Sequence, residues 1–361
     1  MKPRQFYTFQ SSNPEDQGID SIILEHAYAY LRQTFPALYD LLILRNGKAI
    51  FFRRNVNAVE NDASNRIRKY NRWWARLWHA PQVTFQDEVA GLWNVRSVAN
   101  SITALATGIA WKQGIIESLD APILTYFPES IAARVNPAKQ LITLRHLLTM
   151  TSGLASIDES WRARWLVTRR NWTYALLKLP LRNSPGTKFA VSSVDSYLLS
   201  AVITEITGQS LLEYASKSLF QPMQIQQIIW ESGPEGVTYA SSNLLMGIED
   251  QAKIGQLVLQ NGLWNNREVV SSEWIQDMLS SHQVCSPGWD YGYYWYLHDE
   301  VTPNGRRCPT WSAAGTGGQK ILVIPDLELV LAANARTDFI GDRSHHLNQA
   351  ISRYLMASFR E

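Results

Sequence analysis

Residues 96–101 read Arg96-Ser97-Val98-Ala99-Asn100-Ser101, and an apolar series at helical spacing follows: Ile102, Leu105, Ala106, Ile109 and Ala110. Positions i, i+3, i+4, i+7 and i+8 make one continuous stripe, so the segment predicts a buried helix that Gly114 ends. A serine at the first turn of such a helix can face a cleft, where the helix N-terminus favours negative charge on a nearby oxygen. A nucleophilic serine needs a base within hydrogen-bond reach, and the same helix face one turn later is one place for it. The residue there is Asn100.

Working outward, both ends of the chain read as strands and the middle reads as helices. A first helix spans 20–32, with Asp20 or Ser21 as its cap. Leu41–Arg45, Asn46-Gly47 and Lys48–Phe52 predict a hairpin, because Asn-Gly between apolar runs suits a two-residue turn. Residues 56–91 read as an irregular lead-in to the Ser97 helix. Thr143 is placed to cap 144–148, and a long helix runs from Ser193 to the stop at Gly208. Amphipathic helices follow at 250–261 and 272–279. Tyr291–Leu297 is aromatic and predicts a strand. A second hairpin spans Ile321–Ala333 around Pro325-Asp326, and a last helix spans 342–359. The pattern predicts an α/β (α+β) fold. Its antiparallel sheet is built from both chain ends and flanked by helices, with an all-helical domain inserted. The expected boundaries are 15–95 with 240–361 for the sheet domain and 96–239 for the helical domain, with a cleft between them.

Composition bounds the function. The 361 residues are 45% hydrophobic and 18% charged, enough for a large core, and the formal net charge of +2 gives no footprint for nucleic acid. The basic stretch Arg66–Arg76 is interleaved with tryptophan and tyrosine and reads as folded surface. Cys285 and Cys308 are read as reduced thiols. The first residues lack an apolar signal core and no run is long enough to span a bilayer, so the expectation is a cytoplasmic protein without membrane contact. No metal-ligand spacing and no phosphate-binding loop is present, and no cofactor is expected. The expected partner is a small molecule, and the oligomeric state is left open. Among 14 tryptophans, Trp93, Trp161 and Trp165 are candidate walls of a ligand pocket, with Asp195 and Tyr291.

The order of motifs resembles the serine β-lactamases and penicillin-binding proteins, most closely the class C-like esterase and amide-hydrolase branch. Ser97-Val98-Ala99-Asn100 stands where that family has Ser-x-x-Lys. Leu119-Asp120-Ala121-Pro122, Tyr126-Phe127-Pro128-Glu129 and Thr143–Leu154 follow, then Pro185-Gly186-Thr187-Lys188-Phe189 before Ser192-Ser193-Val194-Asp195, and finally Gly315-Thr316-Gly317-Gly318-Gln319. The resemblance covers nearly the whole chain and implies a β-lactamase/transpeptidase-like fold. By position it makes Ser97 the nucleophile and gives the oxyanion N–H groups to Ser97 and Gly318, within a substrate-binding strand of Gly315, Thr316, Gly317 and Gly318. Ser193 falls in the second motif.

Two positions depart from the pattern. Asn100 replaces the lysine and Val191 replaces the tyrosine that precedes Ser192-Ser193. An amide accepts a hydrogen bond but stores no proton at neutral pH, and valine handles none. His146 reads as a packed structural histidine and Asp195 as a cap of the second helix. Three readings follow. The first is altered, non-standard chemistry on a small metabolite in the family's acyl-binding cleft. The second is a pseudoenzyme that keeps Ser97 as a helix cap and binds a ligand or partner. The third is an ordinary ester or amide hydrolase with a substitute base.

Overall fold

The structure, a computed structural model, describes residues 8–55, 88–89, 91–157, 165–166, 168–336 and 344–360. Arg66–Arg76 and Trp161 lie outside these residues. Helix α1 (Ser21–Thr34) is capped by Asp20, which accepts from the N–H groups of Ile22 and Ile23 at 2.9 and 3.3 Å. Strands β1 (Leu38–Arg45) and β2 (Lys48–Arg54) then form the predicted hairpin. Asn46 and Gly47 hold φ of 50° and 71°, the left-handed pair that a tight turn between twisted strands requires.

Short strands β3 (Glu88–Val89) and β4 (Leu92–Asn94) lead to helix α2 (Val98–Lys112), buried from Val98 to Ala110. Helices α3 (Leu144–Leu148), α4 (Trp172–Leu177), α5 (Ser193–Thr207) and α6 (Leu211–Ala215) follow. Gly208 ends α5 at φ 66°. Strands β5 (Ile229–Trp230) and β6 (Leu244–Met246) join β4 and β3 in a four-stranded sheet of order β3-β4-β6-β5. Helix α7 (Ile248–Leu259), the hairpin β7 (Leu263–Trp264) and β8 (Arg267–Glu268), and helix α8 (Ser272–Met278) come next.

The chain closes with β9 (Gln283–Ser286), β10 (Trp289–Tyr291), β11 (Tyr296–Val301), β12 (Arg307–Gly315), β13 (Gln319–Ile324), β14 (Leu329–Ala335) and helix α9 (Ser344–Ala350). These strands and the first hairpin make one antiparallel sheet, β2-β1-β14-β13-β12-β11-β10-β9, so strands from the two chain ends meet where β1 pairs with β14. Alternate side chains serve two cores. Leu42, Leu44, Ile321, Val323 and Val330 pack toward α2, α5 and α7. Ile43, Leu322, Ile324 and Leu331 pack against α1 and the C-terminal helix, through Leu31, Phe35 and Leu347. The mixed helix and strand content with one large antiparallel sheet agrees with the predicted fold class.

Two expectations need correction. Tyr291–Leu297 is not one strand. The N–H of Gly292 donates to the carbonyl of Trp295 at 2.9 Å and Tyr294 sits at φ 63°, so the run bends into a turn between β10 and β11. Its aromatic side chains are buried by packing against helices, which β-propensity does not distinguish from strand burial. The last helix also loses regularity: after Ala350 it passes through a wide turn at Ile351–Leu355 and a tight one at Met356–Ser358.

Gly255 sets how close α7 approaches the large sheet. A Cβ there would lie 2.5 Å from Val330 Cγ1 and 3.0 Å from Ile321 Cγ2. Gly255→Ala is therefore expected to lower the unfolding free energy by about 1–3 kcal/mol through overpacking. Chemical denaturation of the double variant with Val330→Ala checks this, because the smaller neighbour should return part of the loss.

Candidate functional site

The site begins with what holds the loop before α2. Val95 N–H donates to the Leu244 carbonyl at 2.8 Å, extending the β4–β6 pairing. Arg96 N–H donates to Asn94 Oδ1 at 3.0 Å, Asn94 Nδ2 to Asn243 Oδ1 at 3.3 Å, and Asn243 Nδ2 to Glu231 Oε2 at 3.0 Å. Arg96 itself is left-handed at φ 51°, a conformation non-glycine residues adopt where surrounding contacts fix it. Ser97 emerges from this bend at the N-terminus of α2. Its side chain makes no capping bond, which removes helix capping as the reason for a serine here. The N–H groups of Val98, Ala99 and Asn100 donate back to the carbonyls of Val95, Arg96 and Ser97 at 3.2, 3.0 and 3.1 Å.

The end of β12 lies directly against this loop. A Cβ on Gly315 would stand 2.6 Å from the Val95 carbonyl oxygen and 3.0 Å from the Ser97 nitrogen. Only a glycine lets the strand come so near. The tight turn that follows corrects one assignment. Gly318 N–H donates to the Gly315 carbonyl at 3.2 Å, so it closes the turn and is committed there, not offered to a ligand. A Cβ on Gly318 would meet Phe35, on the opposite side of the sheet from α2. Thr316, next after Gly315, has an N–H that donates to no backbone carbonyl among the described residues, and the same holds for Ser97. Gly317 holds φ 85° in the same turn.

Asn100 is 5% exposed, and its Oδ1 is buried with no hydrogen-bond partner among the described residues. Val191 is 47% exposed. Ser192 caps α5 by accepting from Val194 N–H at 3.2 Å, and Ser193 is its first helical residue. No lysine, histidine or carboxylate among the described residues hydrogen-bonds to Ser97 Oγ. His146 is occupied in a capping box, its Nδ1 accepting from Thr143 N–H at 3.2 Å, and its ring packs against the Gly186 turn.

Asp195, near the second motif, is a strongly perturbed acid. Ser152 Oγ donates to its Oδ1 at 2.5 Å and Ser152 N–H to its Oδ2 at 3.4 Å. It therefore bridges α5 to the loop after α3, and does not cap its own helix. Complete burial raises its pKa to about 7, with the Ser152 bonds opposing the rise. Tyr291 is buried and packs on Phe189 with ring centroids 4.9 Å apart. Trp93 is a core residue, 2% exposed, with its ring 4.2 Å from that of Tyr39. Trp165 is half-buried under the Arg169 guanidinium at 4.8 Å. The structure thus brings Ser97, Asn100, Gly315 and Thr316 together, while Trp93 belongs to the core. The loop network through Asn94 and Ser152's bond to Asp195 went unread in the sequence. Asn94 two residues before Arg96 was the available signal, since Asn side chains bond the backbone two residues on.

Among the described residues, no group of three or more His, Cys, Asp or Glu side chains is arranged to hold a metal, and no helix is long and apolar enough to cross a membrane. A family profile described as Beta-lactamase matches residues 71–353. An uncharacterized protein of Alkalihalophilus pseudofirmus is 23% identical over 317 residues, covering 79% of this chain and 82% of its own. The octameric penicillin-binding protein homologue from Pyrococcus abyssi superposes with a TM-score of 0.65 at 20% identity, over 94% of this chain and 78% of its own. A D-stereospecific amidohydrolase from Streptomyces sp. does so with a TM-score of 0.63 at 14% identity, over 91% and 98%.

Two predictions follow from this geometry. Gly315→Ala should displace the Ser97 loop and cost about 1–3 kcal/mol of stability, read by chemical denaturation. For Asp195, the folded carboxyl keeps its proton up to about pH 7, while in the unfolded chain it ionises near the ordinary aspartate value of 3.8. Its contribution is therefore fully present below the unfolded pKa and is lost as pH rises toward 7, with a slope of at most about 1.4 kcal/mol per pH unit. Asp195→Asn should remove that component, so the difference in stability between variant and wild type should shift in favour of the variant between pH 4.5 and 7.5. A difference that stays flat with pH would show that the buried acid does not titrate in this range.

Proposed function

The chain belongs to the beta-lactamase family, and from that premise we propose that its cleft binds a small carbonyl compound and polarises it without the family's acyl-enzyme turnover. The observation that carries this reading is the surroundings of Ser97. Its hydroxyl stands at the start of a buried helix with no proton acceptor bonded to it among the described residues. Asn100 occupies the position one turn on, and its buried oxygen has no partner there. Val191 leaves the third position apolar.

What remains suits polarisation. The Ser97 and Thr316 N–H groups flank the place where Gly315 touches the α2 loop, and the N-terminus of α2 adds partial positive charge. Such groups stabilise a carbonyl oxygen that gains negative charge, but they cannot take the proton from an attacking hydroxyl. In serine hydrolases, loss of a proton-handling residue costs roughly 10⁴- to 10⁶-fold in turnover. Oxyanion donors and binding alone supply on the order of 10³ to 10⁴ over water. The polarised carbonyl is the feature that an altered, non-hydrolytic reaction would use.

The test compares wild type, Ser97→Ala and the double variant Asn100→Lys/Val191→Tyr. Phenyl acetate, a neutral ester, should show binding by saturation-transfer NMR and remain intact. A fluorophosphonate probe should leave Ser97 unlabelled. The double variant should raise ester hydrolysis at least 100-fold over wild type. Labelling of wild-type Ser97, or ester turnover in wild type that disappears in Ser97→Ala, would establish ordinary serine hydrolysis and overturn this reading.

A further inference from the structure

The large sheet carries a buried cation on the face turned away from α2. Lys320 follows Gln319 in β13 and pairs with Ala333 and Ala314, which puts its side chain on the same strand face as Leu322 and Ile324. It is 5% exposed. The other two buried lysines are satisfied: Lys139 donates to the Leu177 carbonyl, and Lys253 to Asp250 Oδ1 at 2.8 Å and the Gln224 carbonyl at 3.0 Å. Among the described residues, Lys320 has no hydrogen bond from its ammonium group and no carboxylate within 4.0 Å. A buried ammonium without a partner is costly unless something meets its charge.

Beside it lies a cavity of about 280 Å³. Lys320, Asn348, Trp289 and Tyr296 are among the residues that line it, and Ser97 and Asn100 are not. Trp289 is held in place by stacking on His298, with ring centroids 3.9 Å apart. Glu300, the acid that acts electrostatically on Lys320, accepts from Ser352 Oγ at 2.7 Å and stands more than 4.0 Å from the ammonium, so it offsets part of the charge without bonding it. His298 shares a hydrogen bond with Ser312 Oγ at 3.2 Å. Burial, then the Lys320 charge, lowers the pKa of His298 to about 4, so at neutral pH it brings no positive charge of its own. The cavity therefore offers one cation, an amide and two aromatic walls. Its volume is slightly below the common range for small-molecule sites, about 300–1,000 Å³, which selects a compact ligand.

We propose that this cavity binds a small carboxylate with a flat apolar body, its carboxylate on Lys320 Nζ and its body against Trp289 and Tyr296. The cavity meets the Ser97 site at Gly315, which lines it, but Ser97, Asn100 and Thr316 do not line it, and the proposal uses none of them. Benzoate is the probe, and benzamide is its neutral counterpart of the same shape.

Calorimetric titration of the full chain should show benzoate binding at least tenfold more tightly than benzamide. Lys320→Met, which keeps the length of the side chain without the charge, should erase that preference, and Trp289→Ala should weaken both ligands. Lys320→Met should leave phenyl acetate binding at the Ser97 cleft unchanged, so a failure here is read separately from a failure of the cleft assignment. Absence of benzoate binding, equal affinity for the two probes, or a preference that persists in Lys320→Met would overturn the proposal. If Lys320→Met does not fold, the wild-type ratio and Trp289→Ala decide between the same outcomes.

Discussion

The contact between the end of β12 and the loop before α2 has no room to spare. A side chain on Gly315 would penetrate the Val95 carbonyl and crowd the Ser97 nitrogen. This one approach fixes the separation between the sheet and the buried helix, and it sets the Ser97 amide beside the strand end. The constraint acts on backbone atoms and on the apolar stripe of α2. Neither the side chain of Asn100 nor that of Val191 is needed to keep it. The close approach is therefore set by shape at positions 95–98 and 315, and the fold does not by itself dictate the chemistry.

Polarising a carbonyl and removing a proton are separable tasks, and the proposed function asks only the first of this cleft. Backbone amides and a helix N-terminus contribute fixed partial charges that depend only on the fold. A base must instead be a side chain with a suitable pKa, within hydrogen-bond reach of the hydroxyl. Asp195 meets the first condition, since burial brings it to about 7, and fails the second, since its carboxylate is turned to Ser152. Its raised pKa follows from burial at the junction between α5 and the loop after α3. A perturbed titration is a consequence of position here, and position ties the residue to structure.

Much of the fold was legible in the residues. Asn46-Gly47 announced the first hairpin, Asp20 and Thr143 announced their caps, and Gly208 announced the end of α5. Each is a local preference with one strong physical cause. The failures come from places where distant packing decides. Tyr291–Leu297 has the composition of a strand, but Gly292 and a left-handed Tyr294 turn the chain so that its aromatic rings fill the helical side of the molecule. Trp93 looked like a pocket wall, and its neighbour Tyr39, far away in sequence, makes it core. The role of Gly318 was misplaced for a related reason. Four adjacent turn residues, Gly315-Thr316-Gly317-Gly318, do not reveal which glycine serves packing, which closes the turn and which N–H is left over.

Their division of labour explains why the turn is suited to holding amides still. Gly315 is pressed against the Ser97 loop on one side of the sheet, and Gly318 is pressed against Phe35 on the other. The bond from Gly318 N–H to the Gly315 carbonyl ties the two ends together, and Gln319 anchors the next residue by bonding both the N–H and the carbonyl of Ala335. A loop clamped from both faces loses little further freedom when a ligand binds, so donors on it are preorganised. Thr316 sits in the middle of that clamp. Its N–H is therefore held in place by the packing on both sides of the turn.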